Sequence, residues 1–255
     1  EVKSDNGPIS RVDTLGAYMF KYSDDGGKTW SDERYEIPVR KMKIDYENPY
    51  QGEVLFFWGV GKPIIHQGAA YFGFAKVGRF GKGFMAKSEG CFMKSENILT
   101  ETDSENIEWE TLPEGDEGLQ AVEGPVADEH NLVGLEDGSL YCTYRTIEGH
   151  PCHAYSRDGG YNWTEAEYAT YTPGGRKIKH PRAANFVWKL DKDHYLYWFH
   201  NNGTKWYNHG DCIGNRNVAW ISGGIEKDGY IHWSQPEIVL YDDNHYRGPS
   251  YPDLI

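Results

Sequence analysis

The chain reads as an all-β protein assembled from repeated hairpins. Aromatic residues make up 15% of it beside 30 glycines, a balance suited to short strands and tight turns. Short alternating apolar runs recur along its length, and one turn sequence occurs twice almost unchanged. No stretch carries a convincing helical period.

The repeated turn is Tyr22-Ser23-Asp24-Asp25-Gly26-Gly27-Lys28-Thr29-Trp30, and again Tyr155-Ser156-Arg157-Asp158-Gly159-Gly160-Tyr161-Asn162-Trp163. Each copy follows an alternating run (17–20 and 153–155) and precedes another, so each is expected to close a hairpin. Ser23, Asp25, Ser156 and Asp158 can hydrogen-bond the amides of their own turn, and Gly27 and Gly160 can take positive φ. Trp30 and Trp163 are expected to bury their rings against the sheet. Looser copies are Lys94-Ser95-Glu96-Asn97 leading to Trp109, and Ser222-Gly223-Gly224 leading through Asp228-Gly229 to Trp233. Further strand-like runs lie at 53–57, 69–74, 139–144 and 194–199. A unit recurring every roughly 40 to 50 residues marks propellers and arrays. Four turns thus predict four blades, or parts of blades, in a single domain covering 1–255.

A net charge of -13 without a Lys/Arg run argues against nucleic acid or an anionic membrane surface as partner. An acidic substrate would need a local cluster of arginines. Cys91, Cys142, Cys152 and Cys212 lack CxxC spacing and the ten histidines include no HExxH, so neither a metal nor a cofactor is expected. Cys142 and Cys152 either face each other across a hairpin or are free buried thiols. No apolar stretch is long enough to span a bilayer. The chain begins at Glu1 and ends at Ile255 within a strand-like segment, which reads as a fragment; a signal peptide would lie upstream.

The S-x-D-x-G-x-x-W turn resembles the Asp box (BNR repeat) of the sialidase, or neuraminidase, superfamily, whose members are six-bladed β-propellers. The resemblance implies that fold here, with the first and last blades largely missing. Asp boxes speak for fold and hardly for catalysis.

The segment from Asp128-Glu129-His130-Asn131 through Glu136-Asp137-Gly138 to Thr143-Tyr144-Arg145 resembles the sialidase blade that carries a catalytic glutamate and an arginine for the substrate carboxylate. By that match Glu129 is the glutamate and Arg145 the arginine; Glu123, in a similar position, has the poorer spacing to Arg145. Arg216-Asn217-Val218-Ala219-Trp220 resembles the strand bearing another substrate-binding arginine, Arg216. Pro249-Ser250-Tyr251-Pro252-Asp253 resembles the segment with the nucleophilic tyrosine, Tyr251. The family's R-I-P arginine and acid–base aspartate have no matching motif and belong to the first blade.

These residue types make chemical sense together. A sialic acid carries a carboxylate on its anomeric carbon, so a carboxylate nucleophile would approach against like charge. A tyrosine hydroxyl is neutral until a neighbouring glutamate takes its proton. Arginine offers a planar, permanently charged fork matching the substrate carboxylate. The resemblance therefore implies an exo-glycosidase retaining configuration at a terminal sialic or related acidic sugar, secreted or periplasmic as that substrate suggests. Two other readings use the same scaffold: a hydrolase or lyase of another acidic polysaccharide, the lyase with a histidine–tyrosine pair, and a non-catalytic glycan-binding propeller. His66, His130 and His180, near glycine or proline turns, either line the mouth of a cleft or, as is commoner, are solvated loop residues.

Overall fold

The computed structural model describes residues 16–57, 59–81, 84–205, 216–244 and 247–255, and the backbone of 2–4 and 7–9. Cys212 lies outside the described residues. Among these, five antiparallel sheets follow one another along the chain. The first two are hairpins, β1 (Val2–Ser4) with β2 (Gly7–Ile9) and β3 (Tyr18–Phe20) with β4 (Tyr35–Ile37). The third is a meander of β5 (Ile64–His66), β6 (Ala69–Phe80), β7 (Met85–Ser95) and β8 (Glu110–Leu112). The fourth contains β9 (Asp128–Gly134), β10 (Leu140–Arg145), β11 (Cys152–Ser156) and β12 (Glu167–Tyr168). The fifth runs β13 (Phe186–Lys189), β14 (His194–Phe199), β15 (Ala219–Lys227) and β16 (Tyr230–Trp233), with β17 (Glu237–Leu240) also on β15. Sequential meanders of this kind are the blades of a propeller.

Alternation along β10 shows how the blades pack. Leu140, Cys142 and Tyr144 enter a core shared with Tyr71, Phe92 and Leu112 of the preceding sheet. Tyr141 points the other way, into a core with Tyr195, Tyr197 and Trp233 of the following one. The strand is thus buried on both faces, and its period of two sorts side chains between two cores. Burying such a ring contributes about 1.5–3 kcal/mol, against about 1 kcal/mol for a typical hydrogen bond. The rings between sheets carry most of the stability, and the turns set register.

Both Asp-box turns are wired alike. Ser23 Oγ donates to Asp25 Oδ1 at 2.8 Å and accepts from the Gly27 amide at 2.8 Å; Ser156 Oγ repeats this with Asp158 at 2.9 Å and Gly160 at 2.8 Å. Asp25 then receives the Thr29 amide and hydroxyl, and Asp158 receives the Asn162 amide and side chain. Gly27 and Gly160 sit at φ +86° and +96°, a region closed to most side chains. The tryptophans differ. Trp163 stacks on Phe92 at 4.7 Å, whereas Trp30 is 58% exposed, because its turn projects from a two-stranded hairpin and no ring stacks on it among the described residues.

The looser copies separate as well. In one, Asn97 takes the aspartate's place, accepting from Ser95 and from the Glu108 amide across a wider turn. The other is a plain two-residue hairpin: Asp228 and Gly229 lie at φ +53° and +74° between the paired residues Lys227 and Tyr230, the geometry a type I′ turn requires. Its glycines, Gly223 and Gly224, are inside β15.

Two expectations on secondary structure change. Residues 53–57 form no strand; Phe57 makes a single bridge to Ala75, and Val54 and Phe57 fill a core with Tyr50 and Phe80. Two residues on, Gly59 lies against the Gly73 carbonyl, where an added Cβ would stand 1.9 Å away, so the segment stays close to β6 without forming a strand. The helix α1 (Lys43–Glu47) is a single turn, too short to show a period. Cys91, Cys142 and Cys152 are buried free thiols. Cys142 opposes Ala154 and Cys152 opposes Tyr144, so the two are diagonal neighbours.

Candidate active site

One irregularity in β9 places two carboxylates on one cation. Asn131 pairs with Thr143 and Asp128 with Arg145, leaving Glu129 and His130 opposite Tyr144 alone. This is a β-bulge, two residues against one, and Glu129 takes its left-handed position at φ +55°. Consecutive residues of a regular strand point to opposite faces; the bulge instead lets Asp128 and Glu129 meet the same guanidinium. Arg145 Nε and Nη2 donate to the two Asp128 oxygens at 2.5 and 2.9 Å. Its Nη1 lies 2.6 Å from Glu129 Oε2, close in charge but off the line of a hydrogen bond.

Tyr251 and Arg216 arrive from the two ends of the last sheet. Arg216 lies just before β15, and Asn217 locks to Asp242 by reciprocal bonds of 2.6 and 3.1 Å, which registers the segment after β17 beside it. Gly248 permits the closest approach, since a Cβ there would stand 2.4 Å from Arg216 Cβ. Tyr251, at φ +54°, donates its hydroxyl to Glu129 Oε1 at 2.9 Å. The Arg216 guanidinium lies 6.0 Å from the Tyr251 ring centre, and Nη1 makes a long 3.4 Å bond to Ser250.

Burial and charge drive the two adjacent carboxyls apart. For Asp128, Arg145 and Arg182 outweigh burial and hold the carboxyl below its ordinary range. For Glu129, burial and the Asp128 charge prevail over Arg145, and the carboxyl is raised. Asp128 is thus the permanent anion and Glu129 the group that exchanges a proton nearer working pH. The Tyr251 hydroxyl is raised by burial and by Glu129, with Arg145 and Arg216 pulling it down.

Arg182 is a member of this cluster that sequence reasoning missed. It is 6% exposed, donates to the Met85 carbonyl at 2.6 Å and stands 3.6 Å from Asp128. Phe84 lies under both arginines, its ring centre 5.1 Å from Arg182 and 5.3 Å from Arg145. The stretch Pro181-Arg182-Ala183-Ala184 bears no motif, so nothing in the sequence marks it.

The other candidates fall elsewhere. Glu123 is exposed, unlike Glu129. Asp25 and Asp158 spend their carboxylates on their own turns. Contrary to the expectation of solvated histidines, His130 and His180 are buried: His130 stacks on Tyr144 at 4.5 Å, and His180 bonds the Ala183 carbonyl and the His200 amide. His66 is half-buried on the Gly138 carbonyl. Among the described residues, Asp191, Asp193 and His194 lie within metal-ligand reach of one another, on the surface turn before β14, where His194 is already bonded to Asp191 at 2.8 Å. Beside Tyr251 opens a cleft of about 650 Å³, walled by β5, β9, β13 and 251–254. No described helix is long and apolar enough to cross a membrane.

No protein-family model matches the chain, and no curated protein matches it in sequence. Solved structures do match in fold. The NanB sialidase of Streptococcus pneumoniae aligns with a TM-score of 0.55 at 15% identity, over 91% of this chain and 30% of that one. The intramolecular trans-sialidase of Ruminococcus gnavus aligns at 0.52 and 21% identity, over 87% and 40%. The leech intramolecular trans-sialidase aligns at 0.53 and 19%, over 87% and 29%. The fold is that of a sialidase-type β-propeller, and the chain spans between 29% and 40% of the length of these proteins.

Proposed function

We propose that this propeller acts on glycans as a retaining exo-glycosidase that removes a terminal sialic or related acidic sugar, with Tyr251 as nucleophile and Glu129 as its base. The observation that carries the reading is the 2.9 Å bond from the Tyr251 hydroxyl to Glu129, flanked by Arg145 and Arg216. The tyrosine's partner is a carboxylate rather than the histidine that lyase chemistry would use.

In the proposed reaction the sugar carboxylate docks on Arg216, whose Nε has no bonding partner in the structure. Arg145, held by Asp128 and with Nη1 facing Glu129 at 2.6 Å, adds its positive charge behind the same carboxylate. This sets the anomeric carbon over the Tyr251 oxygen. Glu129 takes the phenolic proton as that oxygen attacks, giving a glycosyl-tyrosine and releasing the aglycone, whose oxygen is protonated by a general acid. Glu129 then returns its proton to the tyrosine oxygen as water, deprotonated by the conjugate base of that general acid, cleaves the intermediate with a second inversion. The raised Glu129 carboxyl suits this, because a base works best with its pKa close to working pH. A secreted or periplasmic setting goes with such a substrate.

The test uses the full-length protein with a fluorinated sialic acid that traps the glycosyl-enzyme, followed by peptide mapping. The label is expected on Tyr251. A label elsewhere, or turnover that survives Tyr251→Phe, overturns the assignment.

A further inference from the structure

Arg182 has no part in that reaction, yet it is buried against the permanent anion of the site. Its guanidinium faces Asp128 at 3.6 Å; Asp128 grips Arg145 with both oxygens; Arg145 faces Glu129 at 2.6 Å; and Glu129 accepts from Tyr251. Charge alternates along this row, cation, anion, cation, carboxyl, hydroxyl, and the first four members are all under 9% exposed. Buried charges of this kind interact strongly, because little water screens them.

We infer that Arg182 is a positioning residue for the proposed reaction: through Asp128 and Arg145 it fixes where Glu129 points and when it holds a proton. This rests on the reading of Glu129 as base. Asp128 lies beside Glu129 and opposes its ionisation, and Arg182 neutralises that anion without touching the tyrosine. The Met85 carbonyl and the Phe84 face hold the guanidinium in place. The other groups facing Glu129 are Arg145 on β10, and Arg216 and Tyr251 from the last segments; His130 follows it on the same strand, and His180 feels the charges of Arg145 and Arg216. His130 is uncharged across the working range, because burial holds it down at about 3. Arg182 and Asp128 are therefore the pair whose removal shifts Glu129 in opposite directions.

Three variants and two readouts test this. Arg182→Met removes the cation, Arg182→Lys keeps it without the fork, and Asp128→Asn removes the anion. One readout is the acid limb of kcat/KM against pH with an aryl sialoside. The other, needing no turnover, is a ¹³C NMR titration of carboxyl-labelled glutamate, the Glu129 signal assigned by its loss in Glu129→Gln. In Arg182→Met both midpoints are expected to rise by about one pH unit, in Arg182→Lys by less than half as much, and in Asp128→Asn to fall. Unmoved midpoints in Arg182→Met, or the same direction in Asp128→Asn, overturn the inference. Should Arg182→Met fail to fold, the opposite signs of Arg182→Lys and Asp128→Asn decide alone. Turnover with unmoved midpoints removes the positioning role and leaves the glycosidase; moved NMR midpoints without turnover do the reverse.

Discussion

Tyr251 and Glu129, 122 positions apart, share a 2.9 Å hydrogen bond, and both hold the left-handed backbone at φ +54° and +55°. Bulky side chains seldom adopt that conformation, and each instance costs on the order of 1–3 kcal/mol unless the surroundings enforce it. The bulge in β9 enforces it at Glu129, and the clip between Asn217 and Asp242 carries the chain toward Tyr251. Strain at both ends of one hydrogen bond argues that the contact itself is what the local backbone serves. Glu129→Gln is accordingly expected to lower kcat about 10²- to 10⁴-fold against an aryl sialoside while leaving the thermal midpoint close to wild type, because glutamine still accepts the hydroxyl. A melt by circular dichroism beside the rate measurement checks both halves.

Arg216 and Arg145, the two arginines of the proposed site, are expected to respond differently. Arg216 is half-buried and lightly held, so Arg216→Lys should raise KM for an acidic sugar tenfold or more, about 1.4 kcal/mol, with little change in stability. Arg145 is the counter-ion of two buried carboxyls. Arg145→Met strips Glu129 of its nearest cation and leaves Asp128 with Arg182 alone, and is expected to cost about 3–5 kcal/mol, read as a loss in urea-unfolding free energy. Equal stability in the two variants would remove the distinction.

The Asp-box turns give a prediction on stability. Ser156 is fully buried and serves both Asp158 and the Gly160 amide. Ser156→Ala is expected to destabilise by about 1–2 kcal/mol without changing KM. Asp25 is fully exposed; the Thr29 amide, then its hydroxyl, holds the carboxyl down at about 2, so it stays ionised at any working pH. Asp25→Ala should loosen its turn and leave KM untouched. A rise in KM for either variant would show that these turns reach the cleft.

What was legible in the sequence is what is local. The Asp box closes within ten residues, each side chain bonding amides nearby, so its pattern survives in the sequence. The hairpin from Glu129 to Arg145 is legible for the same reason, its span being fixed by two strands and one turn. The bulge that turns Glu129 toward Arg145 is invisible, because it is a mismatch between two strands. Arg182 reaches the site from the segment before β13, bonding Met85 of β7 and facing Asp128 of β9, and is no more distinctive in sequence than any other basic residue. Trp30 and Trp163 occupy the same place in the same motif, yet only Trp163 has Phe92 to stack on. The run 53–57 looks like a strand because it is apolar; its apolar side chains feed a core instead.

Acid stability follows from the buried histidines. Burial holds His130 at about 3 and His153 and His200 at about 4, and burial with the neighbouring His200 takes His180 well below the ordinary value. All four are neutral in the native protein, whereas in the unfolded chain they titrate near 6.5. Below about 6.5 the unfolded chain therefore binds protons that the native state refuses, and stability falls at up to about 1.4 kcal/mol per histidine per pH unit until the native values are reached. Above that point these groups contribute no slope. Glu89, Glu129 and Glu148, raised chiefly by burial, work the other way, since the native state binds their protons first, and offset part of the loss. Urea unfolding at pH 7.0 and 5.5 should show the protein clearly weaker at the lower pH. His130 makes the cleanest single test, because neither ring nitrogen has a partner and its ring stacks flat on Tyr144. His130→Phe keeps the stacked ring and loses the titration, so its stability should fall less between the two pH values than that of wild type. An identical fall in both proteins would mean that His130 already titrates in the native state, and that its pocket does not exclude the charge.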